Sequence, residues 1–244
     1  MINEQKIKAQ NSLGQTIEFD FNEILAYWVD YYASNNMSQL ANYLPRFISI
    51  TAEQEALIKE KAAKGFRKFI LLPSIEVQKE NIHKIKAETE KEVEGLAVGK
   101  QFSPSGAFFW ADVQAGFPNN ITTLNRPVGK PYLLFIKDER EVPVYTLNSS
   151  AEEAKIILQE SNETGLTLVE YLILQREHVR MNINNDKPHM DTDYYTWLLD
   201  SEIKEKGYLK AHWHSVYKQV RINVNQIDGK SEYRGFRSSV VITL

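Results

Sequence analysis

An α+β fold is what this chain of 244 residues predicts. Three observations carry the reading. Helix-starting signatures recur as far as Thr167, a strand–turn–strand unit interrupts them over 131–147, and after Asp193 the pattern changes to short segments with the period-two alternation of strands. No internal repeat or low-complexity tract connects these regions.

The elements follow in order. Ile7 and Ala9, then Asn11-Ser12-Leu13-Gly14, then Ile17, Phe19 and Phe21 alternate about a glycine, which is the pattern of a hairpin. Asp20 followed by Glu23 reads as a capping box. It opens a helix through Ile24, Leu25, Tyr27, Trp28, Tyr31 and Tyr32, whose aromatics on more than one face predict substantial burial. A short helix is expected over 38–44, stopped by Pro45. Thr51 with Gln54 opens a further helix that ends at Gly65. Residues 66–72 read as a buried strand closed by Pro73, and the charged stretch 74–94 as an amphipathic helix with Ile75, Ile82, Ile85 and Val93 as its sparse apolar contacts. Residues 95–130 are rich in loops, and Phe102, Phe108, Phe109, Trp110 and Phe117 predict that they are packed. Strands are expected over 131–136 and 142–147. Ser149 with Glu152, and Thr167 with Glu170, open two more helices. A long connection over 177–193 leads to the closing strands.

This order divides the chain into a mixed helix and strand region, 1–147, and a region 148–244 that adds an antiparallel β recognition surface to a helical connection. A hydrophobic content of 43% and a charged content of 25% are ordinary for a globular protein. The net charge of −3 supplies no general basic field and disfavours a nucleic-acid partner. The absence of cysteine excludes disulfide scaffolds, thiolate-ligated zinc and thiol catalysis. The apolar run Phe69-Ile70-Leu71-Leu72 is too short to cross a bilayer, and residues 1–10 are polar, so a cytoplasmic protein without a membrane partner is expected. Gly95-Leu96-Ala97-Val98-Gly99-Lys100 fails as a phosphate loop, because three residues separate its glycines and Gln101 follows the lysine.

Candidate chemistry concentrates near the end of the chain. In His212-Trp213-His214 strand spacing puts both imidazoles on one face. Two readings follow. With His189, Asp191 and Asp193 the pair would complete the metal centre of a hydrolase or nuclease. Alternatively, Trp213 packs inward and the histidines serve as outward polar contacts. The second reading makes His212, His214, Tyr217, Arg221, Asn223, Asn225 and Tyr233 the binding residues, with no cofactor and no catalysis. Arg221, Arg234 and Arg237, with Lys210 and Lys218, add a local basic excess among Tyr208, Trp213, Tyr217, Tyr233 and Phe236. Such groups could stack on bases, but the negative net charge favours structural roles for Phe236 and Arg237. The partner expected is a protein or other macromolecule, since aromatic side chains on a rigid face supply contact area at low entropy cost.

The run Ala211-His212-Trp213-His214, then Gln219-Val220-Arg221-Ile222-Asn223, then Gly235-Phe236-Arg237-Ser238-Ser239-Val240, resembles the end of a C-type-lectin-like fold, in its formylglycine-generating-enzyme branch. The resemblance covers about fifty residues. It implies a lectin-like closing sheet with Phe236 and Val240 in the core and Arg237 as an anchor, carried by a helix-rich N-terminal part. The redox cysteines of formylglycine-generating enzymes have no counterpart here, so that activity does not transfer, and Lys210-Ala211 stands where a glycine pair often precedes the tryptophan. The variable proteins of diversity-generating retroelements use the same fold as a display scaffold, and the residue types at 212–233 are compatible with such a surface.

Overall fold

The structure, a computed structural model, describes residues 6–96, 119–182, 184–185, 188–215, 219–225 and 230–244. Its strands are β1 (Lys6–Gln10), β2 (Thr16–Asp20), β3 (Lys68–Leu72), β4 (Ile121–Thr123), β5 (Tyr132–Ile136), β6 (Tyr195–Ile203), β7 (Gly207–His214), β8 (Gln219–Asn225), β9 (Arg234–Phe236) and β10 (Ser239–Thr243). Its helices are α1 (Phe21–Ser34), α2 (Ser38–Ala41), α3 (Ala52–Ala63), α4 (Ile75–Glu80), α5 (Ile82–Leu96), α6 (Ala151–Glu160) and α7 (Leu168–Met181). Helices and antiparallel sheets together make the chain α+β, as its sequence predicts. The packed loop region predicted over 95–130 lies largely outside the described residues.

The chain forms two compact units: 1–81 with 126–138 and 239–244, and 82–125 with 139–238. This replaces the sequence-predicted division between 147 and 148. The reason is a long-range pairing, since β10 does not join the strands that precede it. It lies antiparallel to β5, Val240 opposite Phe135 and Ile242 opposite Leu133.

In the first unit the β1–β2 hairpin turns where predicted. Asn11 Oδ1 accepts from the amides of Leu13 and Gln15, each at 2.9 Å, and Gly14 takes the positive φ that the turn requires. Asp20 caps α1 by accepting from the amides of Asn22 and Glu23. The second sheet has the order β10-β5-β3, which among the described residues leaves one edge of β3 without a strand. Helix α1 covers that edge: Trp28 Nε1 donates to the Phe69 carbonyl and the Tyr32 hydroxyl to the Leu71 carbonyl, both at 2.9 Å. Burying two large rings while satisfying two edge carbonyls stabilises the helix and protects the edge together. Phe69 stacks on Phe135 at 4.2 Å, and Phe19 meets both edge-on.

The predicted helix over 74–94 is two helices. Asn81 Nδ2 donates to the Val77 carbonyl at 2.8 Å, a local side-chain bond that competes with continuation and ends α4. In the second unit α6 starts one residue later than predicted, with Ser150 and Glu153 forming the capping box. The Ser149 hydroxyl donates instead to the Thr146 carbonyl at 2.8 Å. Thr167 and Glu170 cap α7 as expected. The strand predicted over 142–147 is a 3₁₀ turn, Val144–Thr146, whose apolar Val144 and Tyr145 point outward. Thr146 Oγ1 accepts from the Phe236 amide at 3.1 Å, and the Asn148 amide donates to the Arg234 carbonyl at 2.9 Å. The turn thus closes the open edge of β9. Gly235 permits the approach, because a Cβ there would lie 2.5 Å from Thr146 Oγ1.

The main sheet of this unit runs β4-β6-β7-β8, with β9 parallel to β6. The closing sheet is therefore mixed, where a wholly antiparallel one was expected. β4 and β9 share one edge of β6, along 201–203 and 195–197 respectively.

Candidate functional site

Pairing registers define the two faces of this sheet. His212 lies opposite Arg221, Lys210 opposite Asn223, Trp197 opposite Lys210, and Arg234 beside Tyr195. Because side chains alternate, Tyr195, Trp197, Tyr208, Lys210, His212, His214, Arg221, Asn223, Arg234 and Phe236 belong to one face. The other carries Leu209, Ala211, Trp213, Val220 and Ile222, all buried.

Helix α6 covers one end of the first face. Ala151, Ala154 and Leu158 pack with Trp197, Leu199, Tyr208 and Phe236, and Lys155 Nζ donates to the Tyr208 hydroxyl at 2.7 Å. The other end is polar and cationic. The Tyr195 ring lies 3.8 Å from that of His212, His212 lies 5.4 Å from His214, and Lys210 Nζ sits 4.7 Å above the Tyr195 ring. Arg234 lies over the Trp197 ring at 5.6 Å.

Within this cluster, burial and neighbouring positive charges act together on Lys210 and His212. Burial, with Arg234 close by, pushes the Lys210 ammonium down from its ordinary 10.5 to about 8. Burial, then the positive charges of His214, Arg221 and Lys210, push the His212 imidazole from 6.5 to about 3. His214 is lowered by burial and by Arg221. No carboxylate among the described residues offsets these effects at Lys210 or His212. His212 Nε2 and Asn223 Oδ1 are buried without a hydrogen-bond partner among the described residues.

The predicted site residues distribute as follows. His212 is buried and His214 half-buried, where both were expected to be exposed. The cause is the Tyr195 ring, which covers His212 from the neighbouring strand. Arg221 and Asn223 are half-buried on the same face. Tyr233 is 55% exposed. Tyr217 and the side chain of Asn225 lie outside the described residues.

His189, Asp191 and Asp193 do not join the histidine pair. Trp213 faces the opposite way from His212, and His189 stacks on it at 3.5 Å with Nδ1 3.2 Å from Gln175 Nε2 of α7. Asp191 is wholly buried in a structural role. It accepts from Arg237 Nη2 at 2.5 Å and from the Thr196 hydroxyl at 2.6 Å, while Arg237 also donates to the carbonyls of Glu139 and Arg140. Asp193 is exposed beside Thr192. Among the described residues no group of three histidine or acidic side chains is placed to hold a metal ion.

Tyr195, Lys210 and Arg234 were absent from the predicted binding residues. Lys210 was legible, since it lies two positions before His212 and therefore shares its face. Tyr195 and Arg234 arrive from other strands through pairings that no local pattern announces. Among the described residues no helix is long and apolar enough to cross a membrane. No family model, curated protein or solved structure matches this chain.

Proposed function

We propose that this chain is a non-catalytic recognition protein that binds a macromolecular partner, in the first instance a protein, through the polar end of the β6–β9 sheet. The observation that carries the reading is the gathering of Tyr195, Lys210, His212, Arg221 and Arg234 on one strand-held face, where burial and mutual repulsion act on the cations. Holding such charges together costs stability, so a ligand that neutralises them gains affinity from the relief. At neutral pH His212 stays uncharged and Lys210 largely charged, a state suited to holding a ligand more than to exchanging protons. The resemblance to a C-type-lectin-like closing sheet belongs to the same proposal. It is supported by the burial of Phe236 and by the anchoring of Arg237 on Asp191, whereas Val240 is buried in the other sheet, opposite Phe135 of β5. A cytoplasmic location is part of the proposal as well.

The test is affinity capture with the folded protein as bait, beside an Arg221→Glu bait and a Lys59→Glu bait altered on the exposed side of α3. A partner retained by wild type and by Lys59→Glu, and lost by Arg221→Glu, supports the reading. Equal retention by all three, with every bait folded, removes it.

A further inference from the structure

The geometry points to an oxyanion subsite at the polar end of this sheet face, in which Lys210 Nζ and His212 Nε2 receive a carboxylate presented by an acidic segment of a protein partner. The inference rests on the recognition reading above and names the chemistry that the face selects.

Three observations carry it. Lys210 and His212 stand two residues apart on β7, so both project from one face as neighbours, and both meet the Tyr195 ring. His212 is 8% exposed, and its Nε2 has no hydrogen-bond partner among the described residues. A buried polar atom left this way costs stability, and a neutral imidazole with its proton on Nε2 is a donor to an oxyanion. Lys210 has a ring, Tyr195, beneath its ammonium, and no carboxylate among the described residues makes a salt bridge with it. Arg221 on β8 and Arg234 on β9 flank the two and add positive potential from either side.

Asn223 extends the subsite. It lies opposite Lys210, and its buried Oδ1 also lacks a partner among the described residues. It would accept from an N–H next to the bound carboxylate, an arrangement that a peptide supplies. Overall charge narrows the choice further. A net charge of −3 works against a long polyphosphate backbone, whereas a single carboxylate needs only a local field. Burial of the unpaired groups accounts for their lowered proton affinities, which a bound anion would reverse.

The experiment is an NMR titration of the full chain, labelled at lysine and histidine nitrogens, with acetate and separately with inorganic phosphate. Chloride at equal ionic strength serves as the reference. Saturable shifts of Lys210 Nζ and His212 Nε2 with acetate are expected, with a dissociation constant on the order of millimolar and a rise in the Lys210 pKa. Lys210→Met should remove saturation while keeping an unbranched side chain without the charge. If that variant does not fold, the rise of the Lys210 pKa in the wild-type protein decides alone. A linear drift with acetate, no different from chloride, overturns the inference. Saturation by phosphate alone overturns the carboxylate assignment. Failure of the recognition reading looks different: acetate saturates normally, yet Arg221→Glu captures every partner that wild type does. Partner capture that depends on Arg221 without acetate binding removes the subsite and leaves the recognition reading in place.

Discussion

Replacing Lys210 by methionine should make the unliganded protein more stable, against the usual direction for a buried substitution. The ammonium is held at a pKa of about 8, where an unfolded chain would have 10.5. At about 1.4 kcal/mol for each tenfold change, this corresponds to roughly 3 kcal/mol of destabilisation at neutral pH. Half-buried Tyr195 and His214 admit solvent beside it, and screening reduces the figure to about 1–2 kcal/mol. Loss of the ammonium above Tyr195 removes about 0.5–1 kcal/mol of favourable interaction, which offsets part of that figure and leaves a net gain of at most about 1.5 kcal/mol. Methionine keeps the stem volume without the charge. The sign with pH follows from linkage. Below pH 8 both folded and unfolded chains hold the proton and the destabilisation is complete. Between about 8 and 10.5 the unfolded chain binds more protons, so wild-type stability rises with pH, and above 10.5 the difference from Lys210→Met vanishes. Urea unfolding followed by circular dichroism at pH 7 and pH 10.5 measures both ends. A Lys210→Met variant less stable than wild type at pH 7, or an equal pH slope in both proteins, refutes the reasoning.

Other predictions follow from the same contacts. Asp191→Asn leaves the buried Arg237 guanidinium without its countercharge and should cost about 3–5 kcal/mol in urea unfolding; a loss under 1 kcal/mol would show the pair to be dispensable. Trp213→Ala empties the space beside His189 and should cost about 3–5 kcal/mol, whereas Tyr233→Ala, at an exposed ring, should stay within about 0.5 kcal/mol of wild type. His212 should remain neutral by NMR down to about pH 3, and stability should rise with pH between about 3 and 6.5, a slope that His212→Gln flattens; titration of His212 near 6.5 would contradict its burial. Gly165→Ala places a methyl 2.7 Å from Leu199 Cβ and 3.3 Å from its backbone, so a loss of about 1–3 kcal/mol is expected in thermal unfolding.

The legible parts of this protein are those whose cause is local. Asp20, Thr51 and Thr167 announce helix starts because a side-chain oxygen accepts from an amide two or three residues ahead, and no distant partner is needed. Asn11 and Gly14 announce the hairpin for the same reason. At 142–147 local pattern misled: β-branched Val142 and Val144 favour a strand, yet the edge of β9 takes its hydrogen bonds from Thr146 Oγ1 and the Asn148 amide, and the segment closes into a turn. The site was half legible. Period two on β7 put Lys210 with His212 and set Trp213 against them, but it also implied that His212 was exposed, whereas the Tyr195 ring covers it and the face stays partly open at His214, Arg221 and Asn223.

What the residues decided unaided was the kind and starting point of most elements, since those depend on bonds spanning three or four positions and on the alternation of a strand. What required the tertiary structure was partnership: β10 returning to β5, β9 running parallel to β6, and Tyr195 laid against His212. These contacts join residues far apart in the chain, and each is selected by competition among many strand edges and apolar faces that no short stretch of sequence can express. The partly desolvated, cation-rich environment of Lys210 and His212 is a product of that selection, because neither residue would be short of water until distant strands had closed around it.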